Sequence, residues 1–245
     1  MAACKKLAIS RRRQRGAALL LLLAMTSVGA ATLLVSALNH DSQQLRRNQL
    51  TLARMAQARD ALVGFATANG RLPRPATSAA DGHEALAPCA TEQDCTGFLP
   101  WVTLGVDGAD AWGKLLRYSV TPGYTQAPVL RISLVSTKTV QDRDSDGGLL
   151  YRTGQSRCDL GAPCAPAVLL SHGRSNFGVS MLGVAQPNSD AGNIDEQQNA
   201  SASVHFISRA ASADANGPGG AFDDLLLTVP LATLYKQMAA AHRLP

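Results

Sequence analysis

The sequence predicts an α+β fold. A long N-terminal helix, membrane-spanning and then amphipathic, packs on a mainly antiparallel β-sheet head, and a short helix closes the chain. Three observations lead there. Residues 17–38 contain no charged side chain and follow a basic tract. Residues 39–69 carry apolar side chains at helical spacing without a proline. Beyond Pro73 the chain breaks into short apolar or alternating runs separated by Gly, Pro, Asn and Asp.

The basic tract comprises Lys5, Lys6, Arg11, Arg12, Arg13 and Arg15, and it ends at Gly16. A bilayer core of roughly 30 Å needs about 20 apolar residues of helix, so 17–38 has the length to span one. Positive charge before the segment predicts an N-terminus on the cytoplasmic side and a head in the periplasm. An ordinary secretory signal is the alternative, with small residues such as Ala31 offering a cleavage site; an uncleaved signal anchor is another.

From residue 39 onward, Leu45, Leu52, Met55, Arg59, Leu62, Val63 and Ala66 recur at three, four and seven. Gly70 suits the C-terminal cap. Joined to the apolar segment, this predicts one helix of about 50 residues, or roughly 75 Å. The apolar stripe of its second half would face the head, although its basic residues could instead meet lipid headgroups. The strand candidates are 115–120, 129–135, 149–152, 167–171, 204–208 and 225–229. Residues 183–202 and 210–220 read as polar surface loops. From Pro230, Leu231, Leu234, Met238 and Ala241 return to helical spacing, with the proline in the first turn.

Charge narrows the partners. The chain has 23 Lys+Arg and 18 Asp+Glu. Six of the cations lie in residues 1–16, which hold no acid, so the remainder carries 17 against 18. A near-neutral head gives no support to nucleic-acid binding. Cys4 lies in the leader, and the other four cysteines form two Cys-x5-Cys pairs, Cys89/Cys95 and Cys158/Cys164. An oxidising location favours disulfides over zinc. Three pairings are open, and the local one, closing two small loops, is the expectation.

The clearest chemical motif is Asp142-Arg-Asp144-Ser-Asp146-Gly147. Alternating carboxylates followed by glycine open a calcium loop of EF-hand type, with Asp142, Asp144 and Asp146 as hard oxygen donors. Thr153 stands where the closing bidentate Glu belongs, so Asp195 and Glu196, or Asp223 and Asp224, would complete the shell. A solvated Asp/Ser/Gly turn is the other reading. Ser171-His172-Gly173 lacks the spacing of a nucleophile elbow, and no Walker loop, dinucleotide fingerprint or His-Glu-x-x-His motif is present. Catalytic residues are therefore not expected.

A short basic leader, a single Gly16 and an apolar run beginning at Ala17 resemble type IV prepilins and the pseudopilins of type II secretion. Asp110-x-Trp112-Gly113 before a short strand ending in Arg117-Tyr118 resembles the start of the sheet in pseudopilin heads. Ser171-His172-Gly173-Arg174-Ser175-Asn176, Asp195-Glu196-x-x-Asn199 and Phe222-Asp223-Asp224-Leu225 resemble a subgroup of large pseudopilin-like proteins. The resemblance implies cleavage between Gly16 and Ala17 by a prepilin peptidase. It implies a leader (1–16), a transmembrane segment (17–38), an amphipathic continuation (39–70) and a periplasmic head (71–245). It also implies packing of the helix with other pilins or pseudopilins in an inner-membrane-based filament, and calcium in the head. The family usually has Phe after the Gly and Glu as the fifth mature residue. Ala17 and Leu21 stand there instead, which points to a minor or tip-type subunit. The alternative is a membrane-anchored periplasmic enzyme or a ligand-binding or adhesion module.

Overall fold

The structure is a computed structural model that describes residues 14–201 and 204–244, with the side chains of 14–18 and 30–41 excepted. Two compact units divide the chain at Arg46/Arg47. Helix α1 runs Gln14–Asn69, and its residues from Arg47 onward belong to the second unit.

In the first unit, Leu19, Leu20, Leu21, Leu22, Leu23, Met25 and Val28 are all exposed. Thr26 and Ser27 turn their hydroxyls onto the helix itself, donating to the carbonyls of Leu23 (3.0 Å) and Ala24 (2.9 Å). Among the described residues, no helix is long and apolar enough to cross a membrane. The apolar side chains described there cover 19–29, about half of the roughly 20 residues a span requires. The expected transmembrane segment is corrected on this ground, and with it the single-pass inner-membrane placement of the chain. Residues 1–13 of the expected leader lie outside the described residues, as does the side chain of Ala17.

The second unit is α+β. A four-stranded sheet has the order β1-β2-β5-β7, formed by Thr96–Phe98, Arg117–Val120, Ala167–Ser171 and Leu225–Val229, all antiparallel. A three-stranded sheet has the order β4-β3-β6, formed by Leu149–Thr153, Thr139–Arg143 and His205–Ile207. Its β3–β4 pair is antiparallel and its β3–β6 pair parallel. Short helices α2 (Trp101–Leu104), α3 (Ile194–Ala200) and α4 (Leu231–Ala240) complete it.

Alternation explains how the layers stack. Tyr118, Val120, Ala167, Leu169 and Val229 lie in one core with Met55, Ala58, Leu62 and Ala66 of α1 and Leu234 and Met238 of α4. On the opposite face of β5, Val168 meets Val140 and Phe206 of the second sheet. Strand β5 is thus buried on both faces, as its uninterrupted apolar sequence requires.

Several local expectations change. Residues 129–135 form no strand: Ser133 and Leu134 donate their backbone N–H groups to the Leu130 carbonyl. That closes turns and leaves Ile132 85% exposed. Within the expected loop 183–202, α3 forms and buries Asp195, Glu196 and Asn199. Strands β1 and β3 arise where no strand was expected. Near β1, Trp101 sits in a slot bounded by Gly82 and Gly108, where any β-carbon would overlap the indole. Trp112 lies beneath the Arg47 guanidinium, 4.8 Å from its ring centroid.

Candidate functional site

The aspartate motif folds as the turn of the β3–β4 hairpin. Gly147 N donates to Asp144 O (3.1 Å) and Asp144 N to Gly148 O (2.9 Å), with Gly147 at φ 87°. This is a three-residue hairpin loop with a glycine bulge, and only glycine takes that backbone angle without strain. The Asp144 carboxylate accepts from Asp146 N (3.1 Å) and Gly148 N (2.6 Å). Asp142 accepts from Arg152 on the neighbouring strand (Nε, 2.9 Å). Asp195 lies at 2.9 Å from Arg143 Nε and 2.8 Å from Arg209 Nε. Arg143 also donates to the Gly147 carbonyl (2.7 Å). Guanidinium groups thus hold the carboxylates at the hairpin base. Among the described residues, the acidic group whose oxygens lie close enough together to hold a metal ion is Glu196, Asp223 and Asp224, and it does not include Asp142, Asp144 or Asp146.

The cysteines stand as local pairs. Cys89 and Cys95 are disulfide-bonded with Cα atoms 5.2 Å apart, and Cys158 and Cys164 with Cα atoms 5.6 Å apart. Between the two loops lies Lys138, fully buried and paired with Glu92. Burial pushes the Lys138 ammonium below its ordinary pKa, and Glu92 acts against that shift.

A third set of residues comes together that periodicity did not reveal as a site. It joins the turn after β5, helix α3 and the start of β7. Glu196 accepts from Asn176 Nδ2 (3.1 Å), Asn193 Nδ2 (2.6 Å) and Asp223 N (2.9 Å). Asn199 Nδ2 donates to Asp224 Oδ2 (2.9 Å), whose other oxygen lies 3.3 Å from His172 Nδ1. Lys114 Nζ donates to the carbonyls of His172 (3.2 Å), Asn176 (3.1 Å) and Ser175. Burial raises the pKa of Glu196, against the hydrogen bond from Asn176. Burial lowers the pKa of Lys114, and the charges of Asp223, Asp110, Asp224 and Glu196 oppose that. Oxygens of Glu196, Asp223 and Asp224 lie within 4.8 Å of one another and could hold a metal ion. The sequence signal for this cluster was the set of short polar motifs, Ser171–Asn176, Asp195–Asn199 and Phe222–Leu225, and nothing in their spacing along the chain.

Beside it opens a pocket of about 300 Å³ lined by Phe98, Arg117, His172, Phe177 and Gly178 among others. Phe177 takes φ 57°, a backbone angle uncommon for a bulky residue. The Ser171 hydroxyl donates to Asp110 Oδ2 at 2.6 Å. The Ser171 hydroxyl is thus committed to Asp110, whereas His172 pairs with Asp224, and the relay of a Ser-His-Asp triad does not assemble here. Asp110 also accepts from the backbone N–H groups of Trp112 and Lys114, each at 2.9 Å, so it organises the Asp-x-Trp-Gly turn. Comparison with protein-family models, curated proteins and solved structures finds no match to this chain.

Proposed function

We infer that the protein is a structural subunit of a pilin-like filament, minor and not repeating, which packs against other pilin-type subunits through α1. The filament would serve type II secretion or a type IV pilus. One observation carries this reading: the side chains of Leu19 to Leu23, Met25 and Val28 are 59–72% exposed along one helix. Apolar surface left in water costs about 25 cal/mol per Å², and packing against similar helices removes that cost. The Gly16–Ala17 junction supports processing by a prepilin-type peptidase. Leu21, in place of a buried Glu that would pair with a neighbour's terminal amine, supports a minor position.

Crosslinking tests the reading. A Leu22→Cys chain, with Cys4→Ser to remove the leader thiol, is oxidised in cells that build such filaments. It should link to other pilin-type subunits identified by mass spectrometry, and its mature N-terminus should be Ala17. A chain that stays unlinked, or one that begins near Ser36, would overturn the proposal.

A further inference from the structure

Strand β4 is the edge of the three-stranded sheet, and among the described residues no strand or bridge pairs with its outer side. Edge strands are normally blunted by charge, bulges or a covering element, because an open ladder pairs with other chains; β4 carries a bulge between Tyr151 and Thr153, which confines its open ladder to Leu149–Tyr151. Here Leu149, Leu150 and Tyr151 follow one another at 42%, 60% and 41% exposure. The one charged residue of the strand, Arg152, is drawn across to Asp142 on β3.

The hairpin fixes which backbone groups face outward. The bond from Asp144 N to Gly148 O makes these two a hydrogen-bonded pair. Hydrogen-bonded and non-hydrogen-bonded pairs alternate along an antiparallel ladder. The next pair, Arg143 and Leu149, is then non-bonded, Asp142 and Leu150 bonded, and Gln141 and Tyr151 non-bonded. The N–H and C=O groups of Leu149 and Tyr151 therefore point to the open side.

Charge is distributed along this edge with a polarity. The exposed Asp144 and Asp146 flank the Leu149 end; at the Thr153 end stand Arg152, already paired with Asp142, and the exposed Arg157, with the exposed Asp159 two residues beyond it. We propose that β4 pairs antiparallel with β4 of a second copy about a two-fold axis at Tyr151. Tyr151 then faces the partner's Tyr151 and the two exchange both backbone hydrogen bonds, the bulge that sets Thr153 opposite Val140 ends the pairing there, and the acidic end of each strand meets the basic end of the other. A parallel pairing would set like charges together. The contact is isologous, so it closes on itself and does not propagate. It lies wholly within residues 47–245 and does not rest on the filament reading.

The test uses the full chain carrying Cys4→Ser. Facing residues of a hydrogen-bonded pair have Cα atoms about 5.5 Å apart, within the range a disulfide spans. Tyr151→Cys should give a disulfide-linked homodimer on mild oxidation, whereas Gln155→Cys, exposed beyond the strand, should not. Asp146→Arg and Arg157→Asp should each weaken dimerisation about fivefold in sedimentation, and the two together should restore it. Tyr151→Pro removes an outward N–H and leaves the β3–β4 ladder whole, so it should dissociate the dimer while melting, at concentrations where both chains are monomeric, at the same temperature as the unaltered chain. A chain that associates without linking through position 151 would overturn this pairing and leave the filament reading standing. Equal linking from position 155, or a charge swap that restores nothing, would also overturn it.

Discussion

Asn199 shows how much one buried amide can hold. Its Nδ2 donates to Ile207 O and to Asp224 Oδ2, each at 2.9 Å, and its Oδ1 accepts from Ile207 N at 2.8 Å. Asn199→Ala leaves these groups without partners at a fully buried position, and such a group costs about 1–3 kcal/mol. We expect at least 2 kcal/mol in urea denaturation (~2 for several orphaned groups). Glu84 supplies a pH-dependent case. Burial alone would raise its pKa, but the hydrogen bonds and charges of Arg71 and Arg74 outweigh it and hold the group below its ordinary 4.5. A depressed pKa contributes stability that is fully present above the unfolded value and is lost as pH falls through the folded one. The melting temperature of the unaltered chain should therefore exceed that of Glu84→Gln near neutrality. The gap should close as the pH falls below about 4.

At the scale of the element, legibility followed the source of burial. Strands β5 and β7 are apolar runs bounded by Pro166 and Pro230, and the residues themselves mark both. Helix α3 reads as a surface loop because Asp195, Glu196 and Asn199 look solvated in sequence. Their partners include Arg143 and Arg209 for Asp195, Asn176 for Glu196 and Asp224 for Asn199, 14 to 52 residues away, and no local pattern encodes them. Strand β3 is hidden for a related reason: Asp142 and Arg143 open the motif Asp142–Gly147 that reads as a metal loop, while the pairing that makes Thr139–Arg143 a strand comes from β4 and β6. The same turn yields a prediction. Asp144→Ala removes two hydrogen bonds that close the hairpin and should lower stability by about 1 kcal/mol in thermal melts. Cation-donor logic alone would instead expect the relief of a repelling charge. The crosslinked loops offer another check. Replacing Cys158 and Cys164 together by Ala releases a loop of sequence separation 6, for which chain entropy predicts a loss of about 2 kcal/mol.

For the whole molecule, the division at Arg46/Arg47 has an experimental counterpart. The core residues Met55, Ala58, Leu62 and Ala66 all lie beyond it. A fragment of residues 47–245 should melt cooperatively within a few degrees of the full chain, as judged by circular dichroism. A fragment starting at Arg71 lacks those side chains against β2 and β5 and should not fold, since large core truncations cost several kcal/mol each (~2–5). With its cations and acids nearly balanced, the head should also elute from ion exchangers without strong retention on either sign of resin near pH 7.

The glycine slot around Trp101 gives this chain a built-in optical probe. The sequence holds two tryptophans, and Trp112 rests under a guanidinium while Trp101 is clasped between Gly82 and Gly108. In a Trp112→Phe chain, all indole emission would come from the slot. Its colour would then report when the segment around Gly82 closes over α2, because Gly82 and Gly108 lie against the half-buried ring and shield part of it from water. Gly82→Ala in that background should shift the emission to longer wavelength while the far-ultraviolet signal of the sheets persists. That combination would time the wrapping of this segment separately from the formation of the strands, with no label added to the protein.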